Sequence, residues 1–233
     1  MSNTPAPIGP PVDATPAPRP ERRVFDGAYV RLEPLALEHA RDLYEATHGN
    51  DREDIWRYLF TGPYPDFASF QNWVANAAQL ADPLAWAVID KSGRTVGALT
   101  LMRIDPPNRA IEVGGITFGT PLQRTTGSTE AIFLLARYIF DDLGYRRFEW
   151  KCNDLNAPSK NAALRLGFSY EGMFRQHMIV KGRSRDTAWF AMLDGDWPAR
   201  RKAFETWLAP GNFDADGKQR ASLGALMGAG GLG

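Results

Sequence analysis

The spacing of apolar and polar positions divides the chain into strand-like and helix-like segments. Tyr29–Glu33 alternates with a period of two and predicts a first strand, followed by Pro34 and a helix over about Leu37–Thr47. Residues Asp51–Pro65 are aromatic and rich in turn formers. Asp66 is placed to cap a helix to about Ala81, with Phe67, Phe70, Trp73, Val74 and Ala77 on its buried side. Leu84–Asp90 and Thr95–Arg103 predict a hairpin across Lys91-Ser92-Gly93-Arg94. Ile111–Phe118 reads as a strand, apolar and β-branched apart from Glu112 and the pair Gly114-Gly115. Adjacent glycines there mark a bulge or a close backbone approach. After the turn Gly119-Thr120-Pro121 and the polar loop Gln123–Ser128, Thr129-Glu130 opens an apolar helix. Ile132, Leu135, Ala136, Ile139 and Phe140 share one of its faces, and Gly144 ends it.

Beyond that helix, Arg147–Cys152 is another strand and Ala157–Leu166 a short helix stopped by Gly167. Phe168–Val180 and Arg185–Leu193 read as strands joined across Lys181–Ser184, and Trp197-Pro198 opens a last helix to about Leu208. The resulting order, β-α-α-β-β-β-α-β-α-β-β, predicts a mixed α+β domain whose sheet is centred on Ile111–Phe118. No internal repeat is visible.

The composition narrows the class. A chain of 233 residues with 44% hydrophobic residues can bury a real core as one domain with tails. Its formal net charge of zero argues against bulk nucleic-acid binding. A single cysteine, Cys152, suits a reducing compartment, no run approaches a membrane span, and the N-terminus lacks a signal-peptide core, so a cytoplasmic location is expected. Residues 1–22, rich in proline and alanine, are expected to be a disordered or polyproline-like tail. Residues 23–208 then form the domain, and 209–233 a glycine-rich C-terminal tail that is loose or packs on a second subunit, making a homodimer a possibility.

The strand–loop–helix passage at residues 111–143 is a way to build an anion cradle. A helix's first turn has N–H groups without intrahelical partners, the helix dipole adds positive potential, and Arg124 could add a charge. The loop is neither a Walker loop nor Gly-x-Gly-x-x-Gly.

Taken together, Glu112-Val113-Gly114, Gln123–Gly127, Thr129-Glu130-Ala131, Leu143–Arg146, Asn156–Ser159, Leu166-Gly167-Phe168 and Glu171-Gly172 give the chain its resemblance to a known family. Over about residues 24–195 it resembles the GNAT superfamily of acetyl-CoA-dependent N-acetyltransferases, more narrowly the branch of ribosomal-protein N-terminal acetyltransferases. The resemblance implies a mostly antiparallel mixed sheet with splayed central strands, flanked by helices. It implies that backbone N–H groups of Gln123, Arg124, Thr125, Thr126, Gly127, Ser128 and Thr129 hold the pyrophosphate of acetyl-CoA. The backbone of Ile116, Thr117 and Phe118 would pair with the pantetheine, and Asn156 and Ser159 would contact the cosubstrate. Thr129 stands in the loop's last small position, where the family has glycine or alanine.

Acetyl transfer to an amine requires positioning, removal of a proton from the ammonium, stabilisation of an oxyanion and protonation of the leaving thiolate. Glu112 is either the general base or a structural carboxylate paired with an arginine. Ser159 is either a proton donor near the sulfur or an ordinary helix cap. Glu171 either faces the acceptor amine or sits on a strand surface. The helix position where many relatives carry a tyrosine acid is Ala163 here, and His177 and Cys152 read as structural. The expected activity is acetyl transfer to a protein N-terminal α-amine without a metal, membrane or nucleic acid. The alternatives are a small-molecule amine acceptor, or a non-catalytic acyl-CoA-binding module.

Overall fold

In a computed structural model, which describes residues 8–49 and 52–228 (for Glu53 the backbone only), eight strands form one sheet. They are β1 (Phe25–Asp26), β2 (Arg31–Pro34), β3 (Leu84–Ile89), β4 (Thr95–Asp105), β5 (Ala110–Phe118), β6 (Arg147–Asn153), β7 (Ser169–Val180) and β8 (Arg183–Leu193). The helices are α1 (Ala40–Thr47), α2 (Glu53–Trp56), α3 (Phe67–Ala77), α4 (Thr126–Arg137), α5 (Ala157–Arg165), α6 (Trp197–Leu208) and α7 (Leu223–Leu226). The spatial order is β1-β2-β3-β4-β5-β6-β8-β7, and every pairing is antiparallel except β5 with β6. That exception follows from α4, which carries the chain back across the sheet between the two strands.

Two apolar layers hold the sheet. On one face Leu32, Trp86, Leu99, Ile111, Phe148 and Trp150 pack under α4 and α6. On the other, Ala85, Ala87 and Ala98 of the sheet pack against Leu43 of α1 and Phe70 and Val74 of α3. The short β3 is buried on both faces, so it reads as a continuous apolar run without alternation.

Helix α3 ends at Ala77, earlier than its apolar spacing predicts, and only Phe70 and Val74 of the expected stripe are fully buried. Helix α4 is buried all round from Thr129 to Ala136, because α6 covers the side turned away from the sheet. It continues into a wider π turn, Tyr138–Asp142, where Leu143 N–H donates to Tyr138 O. The β7–β8 hairpin is tighter than expected. Val180 faces Arg183 across Lys181 and Gly182, both at positive φ, which matches the strand twist.

The described part of the N-terminal segment has no regular secondary structure but is fastened to the domain. Ala17 N–H donates to Pro106 O at 3.0 Å, Glu21 N–H to the Tyr138 hydroxyl at 2.9 Å, and Arg109 Nε to Thr15 O at 2.7 Å. Residues 1–7, 50–51 and 229–233, parts of the expected tails and of the aromatic segment, lie outside the described residues.

Candidate active site

The central feature is a parting of strands. β5 and β6 stay in register from Ala110 opposite Arg147 to Val113 opposite Trp150, and beyond that point β5 has no partner on this side. On its other side β5 shifts register against β4 between Ala98 and Thr100, opposite Gly114–Thr117. Gly115 at φ +55° carries this bulge, and the Thr100 hydroxyl donates to Gly114 O at 2.9 Å. The two glycines therefore bend β5 away from β6. A cleft of about 1510 Å³ opens along the gap.

One wall of the cleft is the cradle. Thr125 caps α4, its hydroxyl accepting from Ser128 N–H, and Gln123 Nε2 donates to Phe118 O at 2.8 Å, tying the loop to the end of β5. Arg124 sits at φ +61°, a region unfavourable for a side chain. Gln123, Arg124, Thr125, Thr126, Ser128 and Thr129 line the cleft together with Ile116 and Phe118 of β5. Thr117 and Gly127 do not. The Thr117 side chain is buried, and a Cβ on Gly127 would meet Val30 Cγ1 at 2.7 Å. The loop's glycine thus lets α4 start hard against the residue preceding β2.

Across the cleft from this wall is α5. Asn156 caps it through Ser159 N–H at 3.1 Å, and the Ser159 hydroxyl accepts from Trp150 Nε1 at 3.0 Å; both residues line the cleft. Ala163, by contrast, is wholly buried in the core, so this helix offers the cleft a hydroxyl through Ser159 and no phenol. Burial pushes the neighbouring Cys152 thiol up, against a bond from Ser159.

Sequence reasoning missed Arg165. Its residue is exposed to solvent, and the guanidinium lines the cleft, donates through Nη1 to the Thr129 hydroxyl at 3.0 Å and lies 4.9 Å from the Trp207 ring centre. Partial desolvation lowers its pKa, and among the described residues it has no carboxylate partner. It directs positive charge at the first turn of α4.

The floor is a row of charges on the sheet face that α1 and α3 leave uncovered. In β6, Phe148, Trp150 and Cys152 point into the core while Arg147, Glu149 and Lys151 point the other way. Glu112, 5% exposed, accepts from Lys151 Nζ at 2.7 Å and faces Arg103 Nη1 at 3.3 Å. Burial raises its pKa, with Lys151 and Arg103 opposing. Lys151 also bonds Glu149. Burial would raise Glu149 as well, yet hydrogen bonds from Arg147 and Lys151 pull it below the ordinary value. Two neighbouring carboxylates are thus driven apart, a usual signature of an acid–base site.

Glu171 does not reach the cleft. Arg147 grips it through two hydrogen bonds, one of 2.9 Å, so its surface-strand reading fits the geometry. The aromatic segment contributes Asp54, Ile55, Arg57, Tyr58, Leu59 and Phe60 to the cleft, while Asp66–Phe70 instead begin α3. Arg185 and His177 also line it. The signal for Arg185 in the sequence was the alternation Arg185, Thr187, Trp189, which puts it on the same face as Lys151, whereas His177 reads there as structural.

Comparison with known proteins agrees with this arrangement. Residues 30–169 match the model of the acetyltransferase (GNAT) domain. The crystal structure of a GCN5-related N-acetyltransferase from Brucella melitensis shares 50% identity with a TM-score of 0.90, covering 92% of this chain and 98% of that one. A structure from Chromobacterium violaceum ATCC 12472, named as a probable acetyltransferase of the GNAT family, shares 37% identity with a TM-score of 0.77 over 85% and 100% of the two chains. A protein of Bacillus subtilis (strain 168), YdaF, named as a candidate ribosomal N-acetyltransferase, is 24% identical over 176 residues, 73% of this chain and 92% of that protein.

Proposed function

The chain belongs to the acetyltransferase (GNAT) domain family, and from that premise we propose that it transfers acetyl groups from acetyl-CoA to protein N-terminal α-amines. The observation that carries the reading is the gap between β5 and β6, which opens beside the first turn of α4 with Arg165 aimed at that turn. Helix-terminal N–H groups plus an unpaired guanidinium suit a pyrophosphate. Acetyl-CoA supplies the activated acetyl thioester. The Arg165 guanidinium and the first-turn N–H groups of α4 not taken by the Thr125 cap hold its phosphates, and the unpaired edge of β5 around Ile116 and Phe118 receives its pantetheine arm. Glu112 takes the proton from the acceptor ammonium, freeing the nitrogen lone pair for attack on the carbonyl carbon. As the carbon–sulfur bond breaks, the Ser159 hydroxyl gives the departing sulfur a proton. The protein-terminus acceptor is proposed from the likeness to the Bacillus subtilis protein, which is named as a candidate ribosomal N-acetyltransferase.

Calorimetric titration with acetyl-CoA tests the cradle. Arg165→Glu should weaken binding at least about 30-fold, because it removes charge-assisted bonds and adds repulsion. Unchanged affinity would remove Arg165 from the site. Intact-mass measurement of peptides with free and blocked N-termini, incubated with acetyl-CoA, tests the acceptor. A gain of one acetyl group on the free termini alone is expected, and no gain on any peptide would refute that acceptor class.

A further inference from the structure

Arg185 is the cation of the cleft floor that the protein itself leaves unanswered. The sheet face at the floor carries the carboxylates of Glu112 and Glu149, which are consumed by Arg103, Lys151 and Arg147, and Arg147 also holds Glu171 outside the cleft. Arg185, only 6% exposed, has no carboxylate partner among the described residues. A guanidinium this deeply withdrawn from water is expensive unless something pairs with it.

The local geometry aims the unused end. Nε donates to the Thr187 hydroxyl at 3.1 Å, and that hydroxyl also meets His177 Nδ1 at 3.0 Å. The Phe60 ring centre lies 5.0 Å from the guanidinium carbon and braces one side. With Nε occupied, the two terminal nitrogens form a fixed fork on the cleft wall. A planar fork held in this way fits a carboxylate with two parallel hydrogen bonds. Desolvation lowers the pKa of His177, and the positive charges of Arg103, Arg185 and Lys151 nearby lower it further. A second positive charge close to the acceptor nitrogen would be repelled by this set.

We propose that the acceptor carries a carboxylate a few bonds from its reactive amine and that Arg185 binds that carboxylate, orienting the nitrogen toward Glu112. The inference rests on the acyl-transfer reading of the cleft and names the chemistry of its acceptor. Two sources supply that chemistry: the side chain of an N-terminal Asp or Glu in a peptide, and the α-carboxylate of a free amino acid.

The test compares isosteric acceptors with the full-length protein. Peptides beginning Asp or Glu are set against the same peptides beginning Asn or Gln, and alanine against alaninamide. The pair carrying the recognised carboxylate should show a kcat/KM ratio of about 30-fold or more in its favour. A gap in the peptide pairs assigns the first side chain, and a gap in the alanine pair assigns the free amino acid. Alaninamide has the less basic amine, so at neutral pH chemistry alone would favour it. In Arg185→Gln the ratio should collapse toward one, and Arg185→Lys, which keeps charge but loses the fork, should restore part of it. Calorimetric binding of acetyl-CoA by each variant shows that the fold and cradle survive. Equal turnover of acidic and amide acceptors by the native protein would overturn the inference while leaving acetyl transfer standing. Acetyl-CoA binding without acetylation of any acceptor would instead defeat the enzymatic reading beneath it.

Discussion

Glu130→Ala is expected to destabilise the protein by about 3 kcal/mol, although Glu130 touches no substrate. Its carboxylate, 4% exposed, accepts three backbone N–H bonds, from Ala28 at 2.7 Å, Tyr29 at 2.6 Å and Val30 at 2.8 Å. These donors belong to the turn that enters β2, closed by Gly27 N–H donating to Val30 O at 2.9 Å. Convergent N–H groups form a small anion nest, and the second turn of α4 supplies the anion. Truncation strands the donors and unties the N-terminal strands from the cradle helix. The fit is close: a Cβ on Gly27 would lie 2.4 Å from Glu130 Oε2 and 2.6 Å from Val30 O. Glu130→Gln should recover only part of the loss, because one side of its amide presents a donor to a donor. For a chain of this length the alanine variant should melt about 6–12 °C lower, measured by circular dichroism. A shift under about 1 °C would show that water satisfies the turn as well as the carboxylate does.

Glu130 also shows what the sequence could and could not convey. Local pattern was enough for most of the elements, though not for the short β1, α2 and α7. Gly114-Gly115 marked the bulge and Thr129-Glu130 marked the cradle helix, which in the structure begins three residues earlier, at Thr126 behind the Thr125 cap. Those signals lie within a few residues of the structure they specify. The bond from Glu130 to Ala28 spans 102 positions, and no periodicity reports such a pairing. For the same reason Arg165 and Arg185 looked like ordinary polar residues of a helix end and a strand. What sets them apart is a missing carboxylate, which only the fold can reveal. Glu171 is the reverse case: the resemblance gave it a role in the site, and its bond to Arg147, 24 residues distant, draws it away. Gly127 was legible as a necessary glycine, but the reason lies in Val30, nearly a hundred residues earlier.

Glu112→Gln is expected to lower kcat by about 10²–10⁴-fold, the range over which a positioned general base contributes. The substitution keeps the shape and one oxygen for Lys151 while removing the basic site. Acetyl-CoA affinity should change little, since the phosphate wall is built from other residues, so the loss belongs to the chemical step. The pH dependence supplies the independent sign. Burial raises the pKa of Glu112 above its ordinary 4.5, and Lys151 and Arg103 only partly offset this. A base acts in its ionised form, so turnover is lost as pH falls through this raised value, and the acidic limb should sit above the ordinary glutamate range. Lys151→Met removes the cation at 2.7 Å and should move that limb to still higher pH, which a purely structural carboxylate would not do. Arg103→Met should move it the same way by less, because Arg103 is farther off at 3.3 Å and its side chain is 39% exposed. If Glu112→Gln stayed within about threefold of the native kcat and kept the same acidic limb, the carboxylate would be an anchor for Lys151. The proton would then have to leave the ammonium through bulk water.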